Sequence, residues 1–249
     1  MRILLMGNPN VGKSVIFSRL TGVHVITSNY PGTTVNYTRG HMMLGNEPVD
    51  VVDVPGTYTL EPTCEAENVA LQMLEPDDVV INVVNAINLE RNLYLTLQLL
   101  ERKARLIVAL NMWDDTQHRG IQIDLKRLQE ILGVPVIPTV ATTGEGIKTL
   151  VEKLPKAGSP HTPVRSRDER WAAVGDIIQQ VQRITHRHHT WREHLADASV
   201  KPFSGLVIAL VVLAGAFLTV RFIGESLIGY LFDPFFNGLW APVLSRISE

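Results

Sequence analysis

The chain has 249 residues with a formal net charge of −2, and 45% of them are hydrophobic. This length suits one large domain, or one domain with an appendage, and the near-neutral charge gives no indication of nucleic-acid binding. The single cysteine, Cys64, excludes an intrachain disulfide and fits a reducing compartment. We interpret Cys64 as an ordinary loop thiol rather than a metal or redox residue, because no cysteine or histidine stands at ligand spacing from it.

The first predicted element is a short buried strand, which leads through a glycine loop into a helix. The loop fits the phosphate-binding pattern G-x-x-x-x-G-K-[ST], with Gly7, Asn8, Pro9, Asn10, Val11, Gly12, Lys13 and Ser14 in order. Such a loop aims backbone N–H groups at one point and makes a nest for phosphate oxygens. We expect Lys13 to reach the β- and γ-phosphates and Ser14 to place its hydroxyl on Mg²⁺. The alternative is a chance glycine turn, which the later motifs make untenable.

A polar loop is predicted from Val23 to Asn36, between the first helix and the next strand. Nucleotide switches need a mobile segment that places a threonine hydroxyl on Mg²⁺ when the γ-phosphate is present. Thr34 is our first choice for this ligand and Thr33 the second. The expected nucleotide contacts in this loop are Gly32, Thr33, Thr34, Val35 and Asn36.

Two strands, Tyr37–Leu44 and Val49–Val54, are predicted to form a hairpin. The second ends in the D-x-x-G motif Asp53, Val54, Pro55 and Gly56. We expect Asp53 to hold Mg²⁺ through water, as a Walker-B acid does, and the N–H of Gly56 to reach the γ-phosphate with no Cβ in the way. A loop and a helix follow, from Thr57 to Pro76.

Further strands are predicted at Val79–Asn85 and Leu106–Leu110, with a helix from Leu89 to Arg102 between them. The second of these strands leads into Asn111, Met112, Trp113 and Asp114. This N-x-x-D motif suits guanine, because an aspartate can accept hydrogen bonds from N1–H and the exocyclic amine, neither of which adenine offers. Asn111 is expected to tie this N-x-x-D motif to the phosphate loop.

The predicted domain closes with an amphipathic helix at Ile121–Leu132, a strand at Val134–Pro138 and a helix at Gly146–Leu154. In the loop after that strand, a backbone N–H of Val140, Ala141, Thr142 or the following residues is expected to bond guanine O6. The motifs all follow strand ends, where an open parallel sheet binds ligands. The predicted fold is α/β, a P-loop GTPase with a Ras-like open and mostly parallel sheet.

Four stretches together resemble the ferrous iron transport protein B (FeoB) family, whose members are inner-membrane proteins with an N-terminal cytoplasmic GTPase. They are Gly7–Ser14, Asp53–Tyr58, Asn88–Glu101 and Asn111–Asp114. The resemblance matches Ser14 and Thr34 to the Mg²⁺ ligands, and Asn10 to an asparagine that helps hold K⁺ against the phosphates. A loop-stabilising role is the alternative for Asn10. Met112 departs from the usual lysine of this motif, so guanine affinity is expected to be modest.

No glutamine follows Gly56 to orient the attacking water, so Thr57 or a backbone group would have to do so. This absence predicts slow intrinsic turnover and leaves a non-catalytic GTP sensor as an alternative. An RNA-directed, potassium-activated GTPase is a second alternative, but no basic stripe follows the GTPase motifs.

Beyond the GTPase, residues 156–167 are predicted to form a linker and Trp171 to about Arg187 a helix. The resemblance implies that this helical part regulates the protein. His186, His188 and His189 lie at its end, where exposed or membrane-proximal side chains are a better interpretation than a metal site. The predicted domains are therefore residues 1–155 (GTPase), 156–200 (linker and helical regulatory segment) and 201–249 (transmembrane helix and flank).

Phe203–Val220 is eighteen residues without a charge, and Phe222–Phe232 extends it. This length predicts a transmembrane helix, with a buried core helix as the alternative. Arg187, Arg192 and Lys201 precede it, so the positive-inside rule places the GTPase in the cytoplasm. Arg221 and Glu225 stand one helical turn apart and are expected to pair or to mark a polar path, while Trp240 would anchor the far interface.

One helix cannot enclose an iron pathway, so the chain is expected to work with the rest of a longer permease or with a separate permease chain. The expected role is to bind GTP or GDP with Mg²⁺ and K⁺ and to regulate ferrous iron uptake at the inner membrane. The expected partners are the lipid bilayer, that permease and, for a homo-oligomer, a second copy of the chain, but no nucleic acid.

Overall fold

A computed structural model describes residues 2–22, 25–185 and 198–235 of the protein. The chain divides into two compact units, residues 1–187 and 188–249. The predictions for His186, His188, His189, Arg187, Arg192 and Trp240, and for the start of the loop at Val23, fall outside the described residues.

A seven-stranded sheet forms the centre of the first unit, in the order β2-β3-β4-β1-β5-β6-β8. Its strands are β1 (Arg2–Gly7), β2 (Val25–Asn29), β3 (Asn36–Leu44), β4 (Glu47–Asp53), β5 (Val79–Asn85), β6 (Arg105–Asn111) and β8 (Val136–Pro138). Neighbouring strands pair in parallel along β4, β1, β5, β6 and β8. At the other edge, β3 pairs antiparallel with both β2 and β4. The prediction of an open, mostly parallel sheet is confirmed.

Helices cover both faces of this sheet, because its central strands are apolar on both sides. The helices are α1 (Lys13–Thr21), α2 (Glu65–Met73), α3 (Leu89–Glu101), α4 (Trp113–His118), α5 (Leu125–Leu132), α6 (Ile147–Lys153) and α7 (Arg167–Val181). Successive residues of β1 point to opposite faces. Leu4 packs in the core that includes α3 and α7, whereas Leu5 packs in the core that includes α1 and α6.

Two of the predicted elements were wrong. The loop predicted from Val23 to Asn36 contains the edge strand β2, whose residues pair with β3. The helix predicted over Ile121–Leu132 begins only at Leu125, where Asp124 accepts a hydrogen bond from the N–H of Arg127 at 3.0 Å. The first three residues of the predicted range instead form β7 (Ile121–Ile123), which pairs antiparallel with β9 (Gln182–Ile184). Both errors concern a short strand that is stabilised by pairing rather than by its own pattern: β2 pairs with the next strand, and β7 with a strand about 60 residues away.

The predicted helix after the linker is α7, and it ends at Val181 rather than near Arg187, since β9 follows at once. Its N-terminus is fixed by a reciprocal capping box between Ser166 and Glu169. Val174 and Val181 lie in the same core as β5 and α3. This helix therefore shares a hydrophobic core with the sheet, while its regulatory role stays a prediction.

In the second unit, a helix runs from Pro202 to Leu227, continues through a π-helical turn at Ile228–Phe232 and ends at Asp233–Phe235. These 34 residues are, within the described parts of the chain, the one helix that is long and apolar enough to cross a membrane. At 1.5 Å per residue the helix is about 51 Å long, more than the ~30 Å of a hydrocarbon core. Arg221 donates to Glu225 at 2.7 Å, so the expected pair forms.

Candidate functional site

The sequence motifs meet at one edge of the sheet, where the parallel strands β1, β4, β5, β6 and β8 reach their carboxyl ends. Gly7 ends β1, Asp53 ends β4 and Asn111 ends β6. A cavity of about 410 Å³ opens at this edge. Its lining residues come almost entirely from the glycine loop and the start of α1: Asn8, Pro9, Asn10, Gly12, Lys13, Ser14, Val15 and Gly56.

Backbone conformation shapes the phosphate loop. Asn10 and Gly12 adopt left-handed conformations, with φ of 62° and 86°, which turn the chain back before α1 begins at Lys13. A Cβ on Gly12 would stand 2.3 Å from Nδ2 of Asn111, and a Cβ on Gly56 would stand 3.1 Å from Cα of Pro9. The loop therefore packs closely against the segment after β4 and the side chain after β6, and glycine is required at the first of these contacts.

Lys13, Ser14 and Asp53 lie together at the cavity. Ser14 Oγ donates to Asp53 Oδ2 at 3.0 Å, and Lys13 Nζ donates to Asp53 Oδ1 and to the carbonyl of Val54. A hydroxyl and a carboxylate at this spacing are the hard oxygen donors that Mg²⁺ takes, so this donor set fits the ion. Within the described residues, however, no cluster of three or more histidine, cysteine or acidic side chains could hold a metal on protein ligands alone.

The threonines of the first loop lie elsewhere. Thr34 is exposed and donates to Glu65 Oε2, at the start of α2, at 2.9 Å. Thr33 donates to the carbonyl of Tyr30 at 3.0 Å and accepts from the N–H of Val35. Gly32 and Asn36 are exposed. Within the described residues no hydrogen bond joins Thr33 or Thr34 to Ser14 or Asp53, so their assignment as Mg²⁺ ligands stays a prediction.

Thr57, the candidate for orienting water, is only 2% exposed. Its N–H donates to the carbonyl of Gly7 at 3.1 Å, and its hydroxyl is buried without a hydrogen-bond partner in the described structure. The N–H of Thr57 is therefore already engaged, and the side chain does not reach the open cavity.

Asn111 joins the two ends of the site. Its Nδ2 donates to the carbonyl of Val11 at 2.8 Å, and its Oδ1 accepts from the N–H of Ala141 at 3.0 Å. Met112 then adopts a left-handed conformation and directly precedes α4. The carboxylate of Asp114 is exposed and has no hydrogen-bond partner within the described residues, so both of its oxygens are available for a base.

The loop after β8 offers fewer free N–H groups than the sequence suggests. Val140 N–H donates to the carbonyl of Glu145 at 3.0 Å, and Ala141 N–H is used by Asn111. Within the described structure, Thr142 N–H has no acceptor. The expected contact with guanine O6 therefore narrows to Thr142 among these three residues.

Several residues that build the site carry no role that the sequence alone predicts. Arg19, at the end of α1, donates to the carbonyls of Ala141 and Thr142. Arg91 accepts from Asn8 Nδ2 through its carbonyl at 3.4 Å, and its guanidinium lies 4.2 Å from the ring centroid of Tyr58. The resemblance covers Arg91 and Tyr58 without assigning them a role, and no local pattern indicates that Arg19 faces a loop more than 100 residues away.

A second polar group of residues, the α3–α7 cluster, consists of Glu61, Tyr94, Gln98, Glu101 and Arg170. Arg170 donates to Glu101 Oε2 at 2.7 Å and to Tyr94 Oη at 2.9 Å. Gln98 Oε1 accepts from the N–H of Leu60 at 2.8 Å, in the segment after the D-x-x-G motif. Burial lowers the pKa of Arg170, but its hydrogen bonds to Glu101 and Tyr94 outweigh burial and raise it. Arg170 therefore stays charged.

Comparison with known proteins agrees with this geometry. The family model described as ferrous iron transport protein B matches residues 1–154. An Fe(2+) transport protein A/Fe(2+) transporter FeoB fusion protein of Porphyromonas gingivalis is 43% identical over 157 residues, which cover 62% of this chain and 19% of that protein. The Fe(2+) transporter FeoB of Escherichia coli is 46% identical over 156 residues, 60% of this chain and 20% of that protein. The matched region thus spans about a fifth of these relatives.

Solved structures show the same fold. The cytosolic domain of L. pneumophila FeoB superposes with a TM-score of 0.69 at 29% identity, and the match covers 74% of this chain and all of that one. A mutant S. thermophilus NFeoB bound to GDP gives 0.61 at 34% identity, covering 72% and 70%. The GMPPNP form of the T. maritima domain gives 0.60 at 34%, covering 67% of each chain. The chain belongs to the FeoB family and carries its N-terminal P-loop GTPase fold.

Proposed function

We propose that the chain binds GTP at the cavity beside Lys13, hydrolyses it slowly and changes conformation at residues 24–36 and 57–70. The observation that carries this proposal is that Lys13 and Ser14 both donate hydrogen bonds to the carboxylate of Asp53, beside the glycine loop. Asn111 adds a second support, because it bonds both the phosphate loop at Val11 and the loop after β8 at Ala141.

In this proposal the glycine loop and the charge of Lys13 hold the phosphates. Asp114 accepts from N1–H and the 2-amino group of guanine, and Thr142 N–H donates to O6. Ser14 and Asp53 would hold Mg²⁺, which neutralises phosphate charge when bound. Because the N–H of Thr57 is engaged and its side chain is buried, slow turnover is the expected behaviour.

We further propose that K⁺ stimulates hydrolysis through Asn10. Asn10 lines the cavity, is exposed and presents an amide side chain with no hydrogen-bond partner in the described structure. An amide oxygen is a suitable ligand for a monovalent cation, which supplies the positive charge that an arginine finger supplies in other GTPases.

The apolar helix supports a place at the inner membrane, with the GTPase in the cytoplasm and Lys201 at its N-terminal side. The role we propose is regulation of ferrous iron uptake, together with the remaining part of a permease or a separate permease chain, as a monomer or a homo-oligomer. Family membership and the match to a fifth of longer transporters support this role.

A non-catalytic GTP sensor is the second candidate, and the burial of Thr57 favours it. The test is GTP turnover by the 249-residue chain in detergent, in KCl and in NaCl at equal ionic strength. We expect a rate that rises in KCl, and that loses this rise in Asn10→Ala but keeps it in Asn46→Ala, an exposed asparagine of the β3–β4 turn. A rate indifferent to the cation would remove Asn10 from the mechanism, and no turnover at all would leave the sensor.

A further inference from the structure

The base loop, residues 140–142, is held from two sides by residues outside it. Asn111 holds the N–H of Ala141 from the strand side. Arg19 holds the loop from the other side, with its Nε 3.2 Å from the carbonyl oxygen of Ala141 and its Nη2 on the carbonyl of Thr142. The two arginine contacts use the planar fork of one guanidinium, so they fix orientation as well as position.

The carbonyl of Ala141 and the N–H of Thr142 belong to the same peptide group. In a trans peptide these two groups point in opposite directions. A donor that fixes the carbonyl on one side therefore fixes the direction of the N–H on the other. The N–H groups of Val140 and Ala141 already have acceptors. Of these three residues, Thr142 alone has an N–H without an acceptor in the described structure.

We propose that Arg19 is a positioning residue for guanine recognition, which orients the Thr142 N–H toward O6 of the base. This inference rests on the proposed guanine site. Arg19 does not touch the nucleotide; it acts through one peptide plane. Asn111 alone cannot set that plane, because its contact is with the preceding peptide, on the N–H of Ala141.

The contribution of Arg19 to nucleotide affinity should therefore depend on a good hydrogen-bond acceptor at position 6 of the base. Sulfur accepts hydrogen bonds weakly, so 6-thio-GDP keeps N1–H and the 2-amino group but loses most of the O6 contact. If Arg19 orients the donor to O6, its removal costs affinity for GDP and little for 6-thio-GDP. If Arg19 only stabilises the fold, its removal affects both nucleotides equally.

The experiment measures the Kd of the 249-residue chain in detergent for GDP, 6-thio-GDP and ADP, by displacement of fluorescent GDP. For Arg19→Ala we expect GDP to bind about 3- to 10-fold more weakly, the value of one oriented hydrogen bond, and 6-thio-GDP to change by less than about 2-fold. Arg19→Lys keeps the charge without the fork and should behave like Arg19→Ala. Arg127→Ala, which removes an exposed arginine bonded to Glu130 and Gln180, should change neither affinity.

An equal loss for GDP and 6-thio-GDP, or no loss for either, would overturn the role of Arg19 while leaving the guanine site in place. A native chain that binds ADP as well as GDP would instead overturn the guanine site itself. The two failures are therefore distinct.

Discussion

The nucleotide site and the α3–α7 cluster are both built from charged and amide side chains, but they differ in how much of their hydrogen-bonding capacity is used. In the α3–α7 cluster Arg170 bonds Glu101, Tyr94 and the carbonyl of Arg165, and the Arg170 and Glu101 side chains are only 8% and 5% exposed. In the nucleotide site the carboxylate of Asp114, the amide of Asn10 and the N–H of Thr142 have no partner within the described structure.

This difference distinguishes polar groups that stabilise the fold from polar groups that are free to bind a ligand. Polar groups that bury without a partner are costly, so a stable core satisfies them internally, as the α3–α7 cluster does. Groups that keep free capacity beside a cavity are available to a ligand, and their removal should change binding with little change in stability. Substitutions in the two clusters should therefore have opposite consequences.

The largest effect is expected at the base end of the nucleotide site. Asp114→Asn replaces one of the two acceptor oxygens by an amide N–H donor, which opposes the 2-amino group of guanine and suits the 2-carbonyl of xanthine. We therefore expect the GTP-to-XTP preference to change by about 10⁴-fold toward xanthine. The measurement is the Kd of each nucleotide for the native chain and the variant. Asp115→Asn, one position along α4, serves as the control and should preserve the preference. Unchanged GTP and XTP affinities in Asp114→Asn would contradict the base-site assignment.

A smaller effect is expected in the α3–α7 cluster, where a substitution should change stability rather than nucleotide binding. Arg170→Met should lower the free energy of unfolding by about 2–4 kcal/mol, because among the described residues it leaves the buried carboxylate of Glu101 with Arg165 as its one remaining cation, at 3.7 Å. GTP affinity should change by less than about 2-fold, since within the described residues Arg170 makes no hydrogen bond or ion pair with a residue that lines the cavity. Urea unfolding followed by circular dichroism measures the first quantity, and nucleotide titration the second.

Two controls sharpen this test. Arg127→Met removes an exposed ion pair to Glu130 and should cost under about 0.5 kcal/mol. The double variant Arg170→Met/Glu101→Met removes both charges and should recover most of the lost stability. A large loss of GTP affinity in Arg170→Met would show that the cluster serves the nucleotide site after all.

The parts of this fold that the sequence predicts are those determined by local pattern. The glycine loop, the D-x-x-G motif and the N-x-x-D motif each follow a strand whose last apolar residues are buried on both faces, and β1, β4 and β6 lie where these patterns place them. The edge strand β2 escaped prediction because Val25–Asn29 is largely exposed and exists only through its pairing with β3. The role of Arg19 escaped because its partner carbonyl lies 122 residues away.

A third effect concerns the contact between the phosphate loop and Asn111. Gly12→Ala would place a methyl group 2.3 Å from Nδ2 of Asn111, at a φ of 86° that alanine rarely adopts. We expect GTP affinity to fall about 100-fold, because both the loop and its link to the base end must shift. Gly22→Ala is the matched control, since Gly22 also has a positive φ, of 71°, but among the described residues other than its chain neighbours no atom lies within 4 Å of the added methyl. If both variants lose affinity equally, backbone strain in α1 explains the loss. If only Gly12→Ala does, the two ends of the nucleotide site depend on each other through Asn111.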